Sequence, residues 1–115
     1  MSVPFFAVLV HGPSMAPTLH HGDALLVRRG PYARPGDVVV VRFAGEDGLF
    51  VKRAVRPAAR GWWVEGDNWS GSDDSRRYGV AEIIGRVVLR YWPRPGLASG
   101  WDPPAGRELG SIGGG

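Results

Sequence analysis

An all-β domain is what this sequence predicts, on three observations. Its apolar runs are short and rich in Val, Ile, Leu and aromatic residues. Turn residues divide those runs at close intervals. No stretch keeps a 3.6-residue apolar period long enough to mark a helix. With 115 residues the chain has enough apolar material for one core and too little for two.

The elements follow in order. Val3 to Val10 is apolar for about eight residues, against the roughly 20 that a bilayer-spanning helix needs. It lacks the basic start and small-residue cleavage site of a signal peptide. It is therefore expected to be a strand leading to Ser14, with shallow membrane contact through Phe5 and Phe6 as the lesser reading. A single helical turn fits near Pro17 to His20. After His21-Gly22-Asp23 comes a strand from Ala24 to Arg28, and after Arg34-Pro35-Gly36-Asp37 one from Val38 to Phe43. The turn Ala44-Gly45-Glu46-Asp47-Gly48 precedes Leu49 to Val55, and Arg60-Gly61 precedes Trp62 to Glu65. Ile83 to Trp92 is the last strand. From Pro93 onward the chain holds four prolines and seven glycines, a composition that packs poorly. Residues 1–92 are thus expected to form the domain and 93–115 a flexible tail.

Composition excludes several functions. Hydrophobic residues make up 43% and charged ones 22%, as in ordinary globular chains. Net charge is only +3, and no basic run alternates with aromatics, so nucleic acid is not an expected partner. There is no cysteine, which removes disulfides, thiolate chemistry and Cys metal sites.

One lysine, Lys52, stands against thirteen arginines, inside Leu49-Phe50-Val51-Lys52-Arg53-Ala54-Val55. Arg keeps its proton in a protein, whereas a desolvated Lys loses it and becomes a base. Strand alternation puts Phe50, Lys52 and Ala54 on one face and Val51, Arg53 and Val55 on the other. A reference pKa of about 10.4 leaves roughly one amine in 2,500 neutral at pH 7, a deficit of about 4.6 kcal/mol. Burial beside Phe50 and Ala54 offsets much of that deficit by desolvating the ammonium. The plainer alternative is a Lys that snorkels to water. For Ser14, in Gly12-Pro13-Ser14-Met15-Ala16-Pro17-Thr18-Leu19, it is a turn or helix-capping serine.

Longer patterns decide between these readings. Gly12 to Leu19 is followed by Gly22-Asp23-Ala24-Leu25-Leu26-Val27, then Pro35-Gly36-Asp37-Val38-Val39-Val40, then Phe50-Val51-Lys52-Arg53-Ala54-Val55. Next come Gly66-Asp67-Asn68-Trp69-Ser70-Gly71-Ser72-Asp73-Asp74-Ser75-Arg76 and Ile84-Gly85-Arg86-Val87. In order and spacing these resemble the signal-peptidase and LexA-type superfamily of Ser/Lys endopeptidases, in particular its type I signal peptidase branch. The resemblance covers about residues 8–92.

It implies a single β domain of short, strongly bent strands, with Ser14 as nucleophile and Lys52 as general base. Ser72 would orient the Lys52 amine. Asp74 and Arg76 would pair beneath the site beside Ser75, and Gly66, Asp67 and Asn68 would shape the adjoining loop. Gly12 stands where many signal peptidases carry a serine that helps hold the oxyanion, which leaves backbone N–H donors such as that of Ser14. Met15, Leu25 and Phe50 are the candidate lining of the substrate pocket. The family's usual membrane anchor is missing, and the short stretch from Lys52 to Gly66 has no room for a second β domain. Those departures resemble the small peptidases that remove the leader of nickel superoxide dismutase, as do Trp62-Trp63-Val64 and Arg90-Tyr91-Trp92-Pro93.

The implied activity is cofactor-free cleavage of an extended N-terminal leader after a small residue, in the cytoplasm or against a membrane surface. Alternatives are a general signal peptidase acting on secretory precursors and a non-catalytic peptide binder. Other signals are weaker. His11 is too close to Ser14 along an extended chain to serve as its base. His20-His21 with Asp23 has no second ligand cluster for a metal. Trp62, Trp63 and Trp92 read as packing, while Trp69 falls within the polar loop.

Overall fold

Four successive valines, Val38 to Val41, are each 2% exposed or less, as a strand covered on both faces requires. They belong to β3 (Val38–Phe43), which runs between β4 (Phe50–Ala58) and β6 (Ala81–Trp92). Alternation sends Val38 and Val40 into a cluster with Val10, Met15, Leu19, Leu25, Val27 and Val87. Val39, Val41 and Phe43 enter a second cluster with Ala54, Val64, Ala81 and Ile83. The valine run thus divides two cores.

The computed structural model describes residues 4–68 and 73–104. The remaining strands are β1 (Phe5–Leu9), β2 (Ala24–Arg29), β5 (Gly61–Glu65) and β7 (Gly96–Leu97). They form one antiparallel sheet in the order β1-β2-β6-β3-β4-β5, with β7 paired to β6. The sheet curls until β5 touches β6 again at Trp62 and Ala81. Gly61 makes that closure possible: a Cβ there would stand 2.3 Å from the Ala81 carbonyl oxygen. Register shifts in the β2–β6, β3–β6 and β4–β5 pairings supply the bends.

The predicted all-β class is the observed one. Three details depart from expectation. Strand β4 continues through Arg56 and Pro57 to Ala58, because Pro57 lies past a bulge where the ladder tolerates a missing donor. A one-turn helix α1 (Ser75–Tyr78) sits in the stretch read as loop, capped by the Asp74 carboxylate on the Arg76 N–H. Finally, part of the stretch expected as tail packs on the domain. β7 pairs with Leu89 and Arg90, a 3-10 turn follows at Ala98–Gly100, and Ala98 and Trp101 lie against the first core.

Candidate active site

Ser14 lies in the connection between β1 and β2, which is pinned at its neck and plugged by its own side chains. The Val10 N–H donates to Asp23 O at 2.9 Å and the Gly22 N–H to Val10 O at 2.8 Å. Between them Met15 and Leu19 are fully buried, their turn closed by the Leu19 N–H on Met15 O at 2.9 Å. Ser14 itself is half-buried on a turn held by the Ala16 N–H on Pro13 O at 3.0 Å. Just before it, Gly12 adopts φ +78°, a conformation open to glycine at little cost. Asn68 docks against this turn twice, its backbone N–H to Ser14 O at 2.9 Å and its Nδ2 to Pro13 O at 3.0 Å.

Lys52 is 3% exposed, on β4 opposite Val39. Its Nζ lies 5.9 Å from the centre of the Phe50 ring. Desolvation lowers its pKa below the usual 10.5, partly countered by the charges of Asp74 and Asp73 and aided by that of Arg76. Register ties Lys52 to the polar segment: Arg53 pairs with Glu65, so the next step along both strands sets Lys52 beside Gly66.

The segment that joins the two is braced from below. Asp74, fully buried, accepts from the Gly66 N–H at 2.7 Å. It also accepts from Arg76, through Nε at 3.0 Å and NH2 at 2.8 Å. The Ser75 hydroxyl accepts from the Val64 N–H at 2.9 Å. Gly66, Asp74 and Arg76 therefore form a hydrogen-bonded unit, with Ser75 bonded to Val64 beside it and Asn68, two residues after Gly66, docked on the Ser14 turn. Ser72 and Trp69 lie outside the described residues.

Sequence reading missed the buried pair beside this unit. Arg53 is fully buried and forks onto Asp67, Nε to Oδ1 at 3.1 Å and NH2 to Oδ2 at 2.6 Å. Its NH1 donates to Gly36 O at 2.8 Å and Trp101 O at 2.6 Å, and its NH2 to Asp102 O at 3.3 Å. Thr18, from the Ser14 connection, donates its hydroxyl to the same Asp67 carboxylate. Four parts of the chain distant in sequence thus meet on one guanidinium. The available signal was Arg53 on a strand face shared with Val51 and Val55, since a charge there needs a buried partner.

The three residues proposed as pocket lining do not share a pocket. Met15 and Leu25 are fully buried in the first core, and Phe50 packs on the second. Met15 and Leu25 are packing residues whose surface is spent on the interior, while Phe50 is only partly buried. A cavity of about 660 Å³ is lined by Arg34 to Val38, Arg86 to Val88, Leu97 to Ser99 and Trp101 to Pro103, and includes neither Ser14 nor Lys52. A shelf for an extended peptide, which binds through its backbone, needs no deep cavity.

His21 contributes a contact unforeseen from sequence: its Nδ1 accepts the Gly12 N–H at 3.0 Å, which requires the proton on Nε2. This bond fixes the backbone two residues before Ser14. Loss of one such bond is worth about 0.5–1.5 kcal/mol. His21→Ala is accordingly expected to reduce kcat roughly two- to tenfold with little change in KM. His21→Asn, whose Oδ1 restores an acceptor, should recover most of it. Steady-state kinetics on the three proteins checks this, and equal rates would remove His21 from the site.

Comparison with known proteins identifies the family. Residues 2–88 match the Peptidase S24-like family. Mitochondrial inner membrane protease subunit 1 of Xenopus tropicalis is 32% identical, over 87% of this chain and 77% of its own. The mitochondrial ATP-independent inner membrane protease subunit 1b of Arabidopsis thaliana is 33% identical, over 76% and 70%. Subunit 1 of the Schizosaccharomyces pombe protease is 32% identical, over 79% and 76%. These relatives are inner membrane protease subunits rather than nickel superoxide dismutase maturation peptidases, which corrects the narrower sequence expectation. They also give the expected cytoplasmic location no support, although no helix among the described residues is long and apolar enough to cross a membrane. An all-β domain with its Ser14 turn docked on a braced polar segment, matched across residues 2–88, makes this chain a member of the Peptidase S24-like family, a signal-peptidase-like peptidase.

Proposed function

We propose that the protein is a serine endopeptidase in which Lys52 is the general base for Ser14, and that it removes N-terminal segments from precursor proteins after a small residue. The observation that carries this reading is a single lysine, 3% exposed and shifted toward its neutral form by burial, beside the segment on which the Ser14 turn docks. Neutral Nζ takes the Ser14 proton as Oγ attacks the scissile carbonyl. The oxyanion rests on backbone N–H groups, that of Ser14 among them. Lys52 then gives the proton to the departing amine. Neutral again, it takes a proton from a water that attacks the acyl carbonyl, and returns that proton to Ser14 Oγ as the ester bond breaks. Ser72 orients Nζ, and the Asp74–Arg76 pair holds the floor.

The relatives' names place their activity at an inner membrane, so precursors presented near a membrane are the substrates this reading favours. The test is mass spectrometry of two precursors, a secretory protein and a nickel superoxide dismutase, after incubation with the protein and with Ser14→Ala. A single cut after a small residue in the secretory precursor, absent with Ser14→Ala, is the expected outcome. Cleavage of the dismutase precursor alone would narrow the substrate class. Cleavage that survives Ser14→Ala would refute the mechanism.

A further inference from the structure

We propose that Arg28, Arg29 and Arg86 form a binding site for a phosphate group, at the far end of β2 from the Ser14 connection. The antiparallel register sets Arg28 directly opposite Arg86, so the two side chains leave the same face of the sheet. Like charges in that position repel and destabilise the ladder. Four ion pairs occur among the described residues, Arg53–Asp67, Arg76–Asp74, Arg77–Asp73 and Arg90–Asp23, and none includes these three arginines. Asp37 and Asp102 border the larger cavity that Arg86 also lines, yet neither lies within ion-pair distance of it. Among the described residues, then, no carboxylate forms an ion pair with any of these three cations.

They also surround a space. Arg28, Arg29 and Arg86, with Gly30 and Tyr32, line a cavity of about 210 Å³. Two of the guanidiniums lie over aromatic rings of β1, Arg28 at 5.8 Å from the centre of Phe5 and Arg29 at 4.6 Å from that of Phe6. Planar forks held this way suit a tetrahedral oxyanion, which each contacts through two N–H groups. A bound phosphate would turn the opposed Arg28 and Arg86 from a repulsive pair into a shared clamp. The group could be free phosphate or the headgroup of an anionic phospholipid, since both offer the same oxygens. Neither source depends on the peptidase mechanism.

Two titrations test this. In the first, inorganic phosphate is added to the full chain while the Gly30 amide resonance is followed by NMR. In the second, the chain is sedimented with vesicles of phosphatidylcholine alone or mixed with phosphatidylglycerol. Both are repeated on Arg28→Gln/Arg86→Gln and on Arg42→Gln/Arg56→Gln, which removes the same charge elsewhere. Saturable shifts with phosphate, weakened about tenfold or more in the first variant only, would support the site with a soluble ligand. Sedimentation only with the phosphatidylglycerol vesicles, weakened similarly in the first variant only, would support it with a lipid headgroup. No binding in either titration, or equal loss in both variants, would overturn it. Relief of the Arg28–Arg86 repulsion predicts a melting temperature for the first variant at or above that of the unsubstituted chain. Arg86→Lys, which keeps the charge and loses the fork, provides the check should the double variant fold poorly: it should still weaken binding.

Discussion

Lys52→Met is expected to lower kcat/KM by about 10² to 10⁴ and, at neutral pH, to raise thermal stability. Both effects have one origin. Burial holds the folded-state pKa of Lys52 below 10.5, so the unfolded chain binds that proton more tightly. Between the folded value and 10.5 the unfolded chain carries the extra proton, and stability rises with pH. Below that window the burden of a buried amine is present in full, and methionine removes it. The variant's advantage should therefore be largest near pH 7 and fade toward pH 10.5. Activity of the unsubstituted enzyme should climb with the neutral fraction of Lys52, with a midpoint below 10.5. Asp73 raises the Lys52 pKa, so Asp73→Asn should move that midpoint to lower pH. Melting curves and pH–rate profiles decide: a flat profile, or cleavage retained by Lys52→Met, would exclude Lys52 as the base.

The second large effect is structural. Arg53→Met strands the Asp67 carboxylate inside the protein, along with three carbonyls that had shared the guanidinium. Removing one partner of a buried pair costs about 3–5 kcal/mol. Arg53→Lys should fall between the two, because an ammonium keeps the charge without the fork that spans Asp67 and the carbonyls. Arg53→Met/Asp67→Leu should lose less than the sum of its single changes, since no charge is then left alone. Urea denaturation of the unsubstituted chain, Arg53→Met, Arg53→Lys, Asp67→Leu and the double variant measures this, and a loss under about 1 kcal/mol for Arg53→Met would show that water reaches the pair.

Much of the architecture was legible because local rules and the fold agree. Gly and Pro mark the turns, and the valine run of β3 has no polar face because both its sides are covered. Lys52 could be placed on the face of Phe50 and Ala54 by counting in twos. Three features escaped for physical reasons. Helix α1 is four residues long, too short to display a period, and rests on the Asp74 cap. Arg53 was assigned only to the face opposite Lys52, because its partner Asp67 lies beyond a hairpin and no local pattern links the two. Trp101 seemed lost in a Pro/Gly-rich stretch, where composition describes the average residue and conceals the one that packs. The pocket assignment failed similarly: apolar residues beside Ser14 suit a substrate and a core equally, and Met15 and Leu25 went to the core.

Strand β6 imposes an order of events on synthesis. It borders β2, β3, β5 and β7, yet among the described residues it is the last long strand in chain order. Until Ala81–Trp92 is available, β2 and β3 have no common neighbour and both cores lie open. Pairings so distant along the chain form slowly, because a long loop must close before any contact stabilises it. Folding is consequently deferred until nearly the whole domain has emerged. The proposed Ser14 and Lys52 machinery then assembles only once β6 has emerged, so the nascent enzyme is inert until that strand joins β2 and β3.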